Sequence, residues 1–262
     1  VGALTPAPED RGQRPPHGLA GELWRLGLER EAVVWDPGGF PRRDAAETRW
    51  TAARFLEQGA PWQAIRAADG AWRQLGAEMP LRAVPADLRR AAFPLPEAAL
   101  VREAAAGAGV DWSLLAAVVR EESRWDPRAQ SAVGARGLAQ LMPATAQGVA
   151  ARLGRPLPGP SELFDPRTNL VLAAAELGRL LELFGGRPAP AVAAYNAGEA
   201  QAQLWLTQCG GTGCTDGRYV AGITFAATRA YTAEVLAAAA AYAELGSDGS
   251  QKRSAAPATV SG

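Results

Sequence analysis

Apolar residues recur every three or four positions through most of the chain, which is the spacing of one face of an α-helix. The clearest unit is residues 44–75, where a first helix ends before Gly59 and Pro61 begins a second. The apolar face of the second helix consists of Trp62, Ile65, Ala68 and Trp72. Residues 19–32 are predicted to form one helix of a preceding hairpin, and Asp44 with Glu47 is similar to a capping box. Strand-like alternation of β-branched residues is almost absent. The pattern therefore predicts an all-α protein.

Glycine and proline divide this helical pattern into regions. Residues 1–17 and 247–262 lack helical periodicity and are predicted to be disordered tails. Residues 18–98 are predicted to be a region of helical hairpins, and residues 99–246 a second helical domain with long loops. The helices predicted after Pro96 cover 97–106, 111–123, a segment that begins at 143, 165–184, 189–196 and 225–245.

Composition excludes several classes of function. The 27 basic residues balance the 27 acidic residues, so the chain lacks the basic excess of a nucleic-acid-binding protein. Two cysteines and one histidine cannot provide the roughly four nitrogen and sulfur ligands of a structural zinc site, and we expect no metal. The one histidine, His17, lies in a proline-rich N-terminal segment where a positioned nucleophile is not expected. No apolar run reaches the ~18 residues of a membrane span.

The two cysteines lie close together in the sequence CGGTGC, at Cys209 and Cys214. The glycines between them make a flexible loop that could bring the sulfurs together, and the chain has no other cysteine to pair with them. We expect a disulfide, which would indicate an oxidising compartment. Two free thiols are the alternative.

Glu122 is the carboxylate whose position indicates chemistry. With Leu115 as the origin and 100° per residue, Glu122 falls in the middle of the apolar stripe of its helix. Glu121 falls nearer the edge of the stripe and Arg120 on the opposite side. Burial raises the pKa of a carboxyl, as a general acid that works near neutral pH requires. The alternative is a frayed helix end at which Glu122 turns to solvent.

Other polar residues give weaker signals. The next carboxylate is Asp126, and no other follows until Glu162 and Asp165, so no second partner is evident in the local sequence although most glycosidases use two carboxylates. Gln140 is the polar side chain of 138–142, and Tyr195 and Asn196 lie in AAYNAG. Taken alone, these residues fit either an exposed helix position and a helix end, or the lining of a polar cleft.

Taken together, four motifs in one order resemble the catalytic domain of the soluble lytic transglycosylases, lysozyme-like enzymes that cut bacterial peptidoglycan. The matching segments are Glu122-Ser123, GLAQLMP at 137–143, LFDP at 163–166 with Asn169, and AYNAG at 194–198. Residues 18–98 are similar, more weakly, to the helical-hairpin superhelix that precedes this domain in long family members. The resemblance implies a lysozyme-like domain preceded by part of a superhelix.

The resemblance implies that Glu122 is the catalytic acid. In the family a single Glu protonates the oxygen between N-acetylmuramic acid and N-acetylglucosamine, and then acts as a base toward the muramic C6 hydroxyl. Closure of that hydroxyl on C1 gives a 1,6-anhydro product without consuming water. This route fits a chain in which no second carboxylate is evident.

The resemblance also implies a set of substrate-binding residues. Ser131 corresponds to a serine near the acetamide of the bound sugar. The other residues that correspond to the cleft are Gln140, Met142, Tyr195 and Asn196. Tyr195 is expected to hydrogen-bond near Glu122 and orient it.

Four positions depart from the family pattern. Ala221 and Ala227 stand where Glu is common, Glu176 where an aromatic residue is usual, and Ala139 where Met is usual. These departures bear on the fine geometry of the cleft and on the level of activity, and they leave Glu122 untouched.

These observations together predict a peptidoglycan lytic transglycosylase. Its partners would be peptidoglycan glycan strands, it would need no cofactor because proton transfer by a carboxyl group suffices, and it would act as a monomer in the periplasm or another exported location. A lysozyme-type muramidase that uses water is one alternative. An inactive peptidoglycan-binding module, suggested by Ala221 and Ala227, is another.

Overall fold

The structure is a computed structural model that describes residues 45–75 and 80–247. These residues form eleven α-helices and three short 3₁₀ helices, with isolated bridges at Arg136 and no β-strand among them. The all-α prediction is therefore confirmed. The predicted tail 1–17, the helix predicted at 19–32, the Asp44–Glu47 capping box and residues 248–262 lie outside the described residues.

The chain divides into two compact units between Pro96 and Glu97, two residues before the predicted boundary. The helices of the first unit are α1 (Ala45–Glu57), α2 (Pro61–Leu75) and α3 (Ala86–Ala92), with a 3₁₀ turn at Leu81–Ala83. The turn between α1 and α2 contains Gly59 at φ 70°, a backbone conformation that glycine adopts without strain. Ile65 and Ala68 of the predicted α2 face are fully buried. Sequence periodicity did not identify α3.

The second unit consists of the remaining eight α-helices. They are α4 (Ala98–Gly107), α5 (Trp112–Ser123), α6 (Pro143–Arg152), α7 (Pro166–Leu183), α8 (Pro188–Ala197), α9 (Glu199–Cys209), α10 (Asp216–Gly222) and α11 (Ala226–Ser247). Two of their starts follow from the predicted caps, since Asp111 accepts a hydrogen bond from Ser113 N at 2.7 Å and Asp165 from Thr168 N at 2.8 Å. Helices α9 and α10 were not predicted, and among the residues of α9 only Ala202 and Trp205 are buried.

Helix α5 is the centre of this unit and packs extensively against α11. Every residue from Ser113 to Arg120 is buried, including residues outside the predicted apolar stripe. The prediction that Arg120 faces away from the core is wrong, because a central helix has neighbours on all sides. Arg120 is ion-paired with Glu121, which reduces the cost of burying either charge.

The chain turns sharply where α5 ends. Arg124 and Trp125 have φ values of 51° and 68°, in the left-handed region that non-glycine residues rarely adopt. Trp125 is buried, and its indole nitrogen donates a hydrogen bond to the Tyr242 hydroxyl at 3.0 Å. This hydrogen bond holds the turn after α5 against α11. It therefore helps to fix the position of Glu122 in the last turn of α5.

A disulfide joins Cys209, at the end of α9, to Cys214, and their Cα atoms lie 5.4 Å apart. The Arg187 guanidinium reinforces the loop by donating to the Cys214 carbonyl at 2.7 Å and to Asp216 at 2.8 Å. The Cys214 side chain belongs to the apolar core beneath α8, α9 and α10.

In the described ranges, no helix combines the length and the apolar character needed to cross a bilayer.

Candidate active site

Glu122 lies in the last turn of α5, half-buried, where the helix meets α11. Its Oε1 accepts a hydrogen bond of 2.7 Å from the Tyr231 hydroxyl of α11. The pKa of Glu122 is raised to about 7, the net result of burial, which raises it, the hydrogen bond from Tyr231, which lowers it, and the charge of Glu121, which raises it. A carboxyl with this pKa is close to half protonated at neutral pH, so it can both donate and accept a proton.

Tyr231 is a candidate site residue that sequence reasoning missed. It lies 109 positions beyond Glu122, in the alanine-rich helix α11, and no spacing rule connects the two. Burial and the neighbouring Glu122 raise the pKa of Tyr231 well above its usual value, so the hydroxyl keeps its proton and remains a donor. The available sequence signal was a hydroxylated aromatic residue within an alanine-rich helix.

Tyr195 is close to Glu122 but does not hydrogen-bond to it. Its hydroxyl donates to the Ala139 carbonyl at 3.0 Å, so the expected bond that would orient Glu122 is made by Tyr231 instead. Burial, followed by the charges of Glu122 and Glu176, raises the pKa of Tyr195. Tyr195 therefore feels the charge of both carboxylates, and its hydrogen bond ties α8 to the loop that precedes α6.

That loop, residues 136–142, is held in place by Asn169 of α7, which is fully buried. The Asn169 amide nitrogen donates to the Arg136 and Leu163 carbonyls at 2.9 and 2.8 Å, and its oxygen accepts from Ala139 N at 2.8 Å. Gly137 lies against the same side chain at φ 75°, and a Cβ there would lie 2.1 Å from the Leu163 carbonyl oxygen. The LFDP segment with Asn169 thus holds the GLAQLMP segment in its shape.

Three other predicted binding residues, Gln140, Ser131 and Asn196, each make hydrogen bonds within the protein. Gln140 has φ 47°, and its amide nitrogen donates to the Ala129 and Gly137 carbonyls at 3.0 and 2.9 Å. The Ser131 hydroxyl accepts from Ala135 N at 3.0 Å within a local turn. The exposed Asn196 accepts from the Thr228 hydroxyl at 2.8 Å, which joins α8 to α11.

A pocket of about 250 Å³ lies beside Tyr195, and we call it the side pocket. It is bounded by the loop before α6, by α6 and α7, and by the turn between α8 and α9. Its lining includes Gln140, Met142, Thr145, Glu176, Tyr195 and Glu199. Three predicted binding residues, Gln140, Met142 and Tyr195, are thus brought together, whereas Ser131 and Asn196 do not line this pocket.

Other carboxylates near the site already have partners. Glu121 is paired with Arg120, and Glu176 receives hydrogen bonds from Arg152 at 2.6 Å and from Arg179 at 2.6 and 3.1 Å. Across the described residues, no group of three or more His, Cys, Asp or Glu side chains could hold a metal ion. The chemistry that the arrangement supports is proton transfer by a single carboxyl group.

Replacing Tyr231 with Phe tests the electrostatic balance at Glu122. The hydrogen bond from Tyr231 favours the carboxylate form, so its loss is expected to raise the pKa of Glu122 and to move the alkaline limb of the pH–activity profile to higher pH. Without this hydrogen bond the Glu122 carboxyl is also positioned less precisely, so turnover should fall by about tenfold.

Tyr195→Phe is the matched control, because its hydroxyl bonds to the Ala139 carbonyl instead. Equal shifts of the alkaline limb in both variants would contradict the role assigned to Tyr231.

Comparison with known proteins places this site in context. Residues 99–213 match the family described as the transglycosylase SLT domain. The chain is 36% identical over 151 residues to the soluble lytic murein transglycosylase of Salmonella typhimurium and 35% identical over the same length to that of Escherichia coli. Each match covers 57% of this chain and 23% of the relative, so the chain spans less than a quarter of the length of these curated relatives.

Solved structures give a similar result. The 70 kDa soluble lytic transglycosylase from Escherichia coli is 27% identical with a TM-score of 0.73, over 88% of this chain and 36% of that one. A complex of the 70 kDa soluble lytic transglycosylase with bulgecin A matches at 25% identity with a TM-score of 0.72, over 92% and 38% of the two chains. These matches confirm the predicted all-α, lysozyme-like fold class.

Proposed function

We propose that this chain cleaves the glycan strands of peptidoglycan as a lytic transglycosylase, with Glu122 as its catalytic residue, because residues 99–213 match the family described as the transglycosylase SLT domain. The bond cut is the β-1,4 linkage from N-acetylmuramic acid to N-acetylglucosamine. The observation that carries the proposal is the environment of Glu122, a half-buried carboxyl with a pKa of about 7 that accepts a hydrogen bond from Tyr231.

In the first step, the protonated Glu122 donates its proton to the oxygen that links the two sugars. The bond from that oxygen to the muramic C1 breaks, and its electron pair leaves with the oxygen. Positive charge develops at C1, where the substrate's own acetamide can help to stabilise it. A carboxyl with an ordinary pKa would be almost wholly ionised near neutral pH, so the burial of Glu122 supplies the acid that this step requires.

In the second step, the Glu122 carboxylate accepts the proton of the muramic C6 hydroxyl while that oxygen bonds to C1. The product is a 1,6-anhydro sugar, Glu122 is protonated again, and no water is consumed. Tyr231 favours the charged form of Glu122 through its hydrogen bond, so it stabilises the carboxylate between the two steps.

Among the residues that the structure describes, no second available carboxylate lies beside Glu122, which supports this internal nucleophile over a double-carboxylate mechanism. In the described part of the chain, the acidic group whose charge raises the pKa of Glu122 is Glu121, and Glu121 is already ion-paired with Arg120. The C6 hydroxyl belongs to the substrate, so the chain needs no nucleophile of its own.

The mass of the products released from purified sacculi tests the proposal. We expect soluble fragments that end in the anhydro sugar and are lighter by one water molecule than the corresponding hydrolysis products. Fragments with the full mass would identify a muramidase that uses water. Binding to sacculi without release of fragments would identify an inactive module, the alternative suggested by Ala221 and Ala227.

We further propose that the chain acts outside the cytoplasm, in the periplasm or another exported location, where its substrate lies. The Cys209–Cys214 disulfide supports this placement, since disulfides persist in oxidising compartments. The chemistry requires one Glu122 and one glycan strand, so we propose that a monomer suffices.

A further inference from the structure

Phe225, the residue immediately before α11, presents an aromatic ring to solvent. The residue is 52% exposed, and its carbonyl accepts the hydrogen bond from Arg229 N, at 2.9 Å, with which the helix begins. Single exposed apolar residues are common on protein surfaces, so exposure by itself assigns no role to Phe225. Its support by the neighbouring helices and its position relative to Glu122 do.

The ring of Phe225 is held in one orientation by its neighbours. Its centroid lies 5.2 Å from that of the buried Trp205 of α9, with the ring planes at 89°. In this perpendicular arrangement Trp205 leaves at least one face of the phenyl ring uncovered. The Trp205 indole nitrogen donates to the Thr224 hydroxyl at 2.9 Å, and Arg229 donates to the Ile223 carbonyl at 3.1 Å. The turn that carries the exposed ring is therefore tied to α9 and to α11.

A row of residues three positions apart connects Phe225 to the proposed catalytic residue. Phe225, Thr228 and Tyr231 lie along one side of the start of α11. Tyr231 donates to Glu122 at 2.7 Å, and Thr228 donates to the exposed Asn196 at 2.8 Å. The side chains that this row presents to solvent are therefore Glu122, Asn196 and Phe225, in that order.

The spacing of the row fits a linear sugar polymer. Tyr231 lies six residues beyond Phe225, which corresponds to roughly 9 Å along a helix. A disaccharide unit of a β-1,4-linked strand has a similar length, so a strand that follows the row from Glu122 brings its second sugar ring to Phe225. Between the two ends, the Asn196 amide nitrogen makes no hydrogen bond within the described part of the chain, and it can donate to a sugar oxygen.

We propose that Phe225 is a platform on which the second sugar from the cleaved bond stacks, and that this contact contributes to the affinity for glycan strands. The inference rests on the proposed function, because a strand bound for cleavage at Glu122 is the one aligned with the row. The occupant is a carbohydrate because a flat apolar ring beside an amide donor matches a sugar surface, in which an apolar C–H face alternates with hydroxyl groups. Phe225 lies outside the side pocket.

Replacing Phe225 with Leu tests the platform, since Leu keeps an apolar contact with Trp205 but has no flat face. We expect KM for soluble glycan strands to rise about fivefold, with kcat unchanged. Phe225→Trp restores an aromatic ring and should return KM close to the wild-type value. Leu183→Ala is the matched control, because Leu183 is 50% exposed at the end of α7, away from the row, and KM should not change.

Three results of these measurements would overturn the proposal. The first is an unchanged KM in Phe225→Leu. The second is a lower kcat with an unchanged KM, which would indicate that the substitution acts through the packing of α11 and Tyr231. The third is a change in the sedimentation of the substrate-free chain in Phe225→Leu, which would assign the exposed ring to contact with a second copy.

Nuclear magnetic resonance of the Glu122→Gln variant separates failure of this inference from failure of the proposed function. On binding of a peptidoglycan-derived hexasaccharide, we expect the ring protons of Phe225 to shift and the C–H protons of one sugar to move upfield, an effect that Phe225→Leu removes. Shifts at Tyr231 without shifts at Phe225 would overturn the platform and leave the proposed function intact. Shifts at Phe225 in a chain that releases no products from sacculi would support the platform and refute the proposed function.

Discussion

Replacing Glu122 with Gln is expected to reduce the release of soluble fragments from sacculi by about 10³-fold or more, while the chain stays folded. Gln has nearly the same shape and can accept the hydrogen bond from the Tyr231 hydroxyl, but its amide protons are not acidic enough to be transferred to the linking oxygen. Both proposed steps pass through this one carboxyl group, so the substitution removes the acid and the base together. Fragment release is measured by chromatography of the soluble products.

The matched control is Glu121→Gln, the neighbouring carboxylate on the same helix turn. Glu121 is paired with Arg120, so its substitution should reduce stability but leave most of the activity. Far-ultraviolet circular dichroism verifies that both variants are folded. A Glu122→Gln variant with close to wild-type activity would remove the basis of the proposed mechanism.

Replacing Asn169 with Ala is expected to lower the free energy of unfolding by about 3–5 kcal/mol. The substitution leaves Ala139 N and the carbonyls of Arg136 and Leu163 without their side-chain partner. Asn169 is fully buried, so water cannot easily replace these bonds. Urea unfolding measures the loss, and activity should fall as well because loop 136–142 carries Gln140 and Met142 to the side pocket.

Asn196→Ala serves as the comparison for stability. Asn196 is exposed and accepts one hydrogen bond, from Thr228, so its loss should cost about 1 kcal/mol or less. If the two asparagine variants were equally stable, the view that Asn169 holds the loop together would be wrong.

Local rules were sufficient to predict much of the second unit. The carboxylates of Asp111 and Asp165 cap α5 and α7 as their positions before these helices indicated. Helical periodicity placed Glu122 in an apolar stripe, and the structure gives it a half-buried position with a raised pKa. These features depend on neighbours within one or two helical turns, which a sequence displays directly.

Features that depend on packing between distant helices could not be predicted. Glu122 receives its hydrogen bond from Tyr231 and not from Tyr195, a choice made by the way α11 lies on α5. Arg120 is buried because α5 is surrounded, although it lies opposite the apolar stripe of its own helix. The ion network that joins Glu176, Arg179 and Glu199 forms only when α7 meets the start of α9.

A direct titration of the Glu122 carboxyl group tests the central claim. The ¹³C chemical shift of this carboxyl, assigned by its absence in Glu122→Gln, can be followed by NMR from acid to alkaline pH. We expect a midpoint at about pH 7, with turnover falling as pH rises through the same range because the acid form is lost. A midpoint near the ordinary value for a glutamate, 4.5, would contradict the account, since Glu122 would then be ionised before it could protonate the glycosidic oxygen.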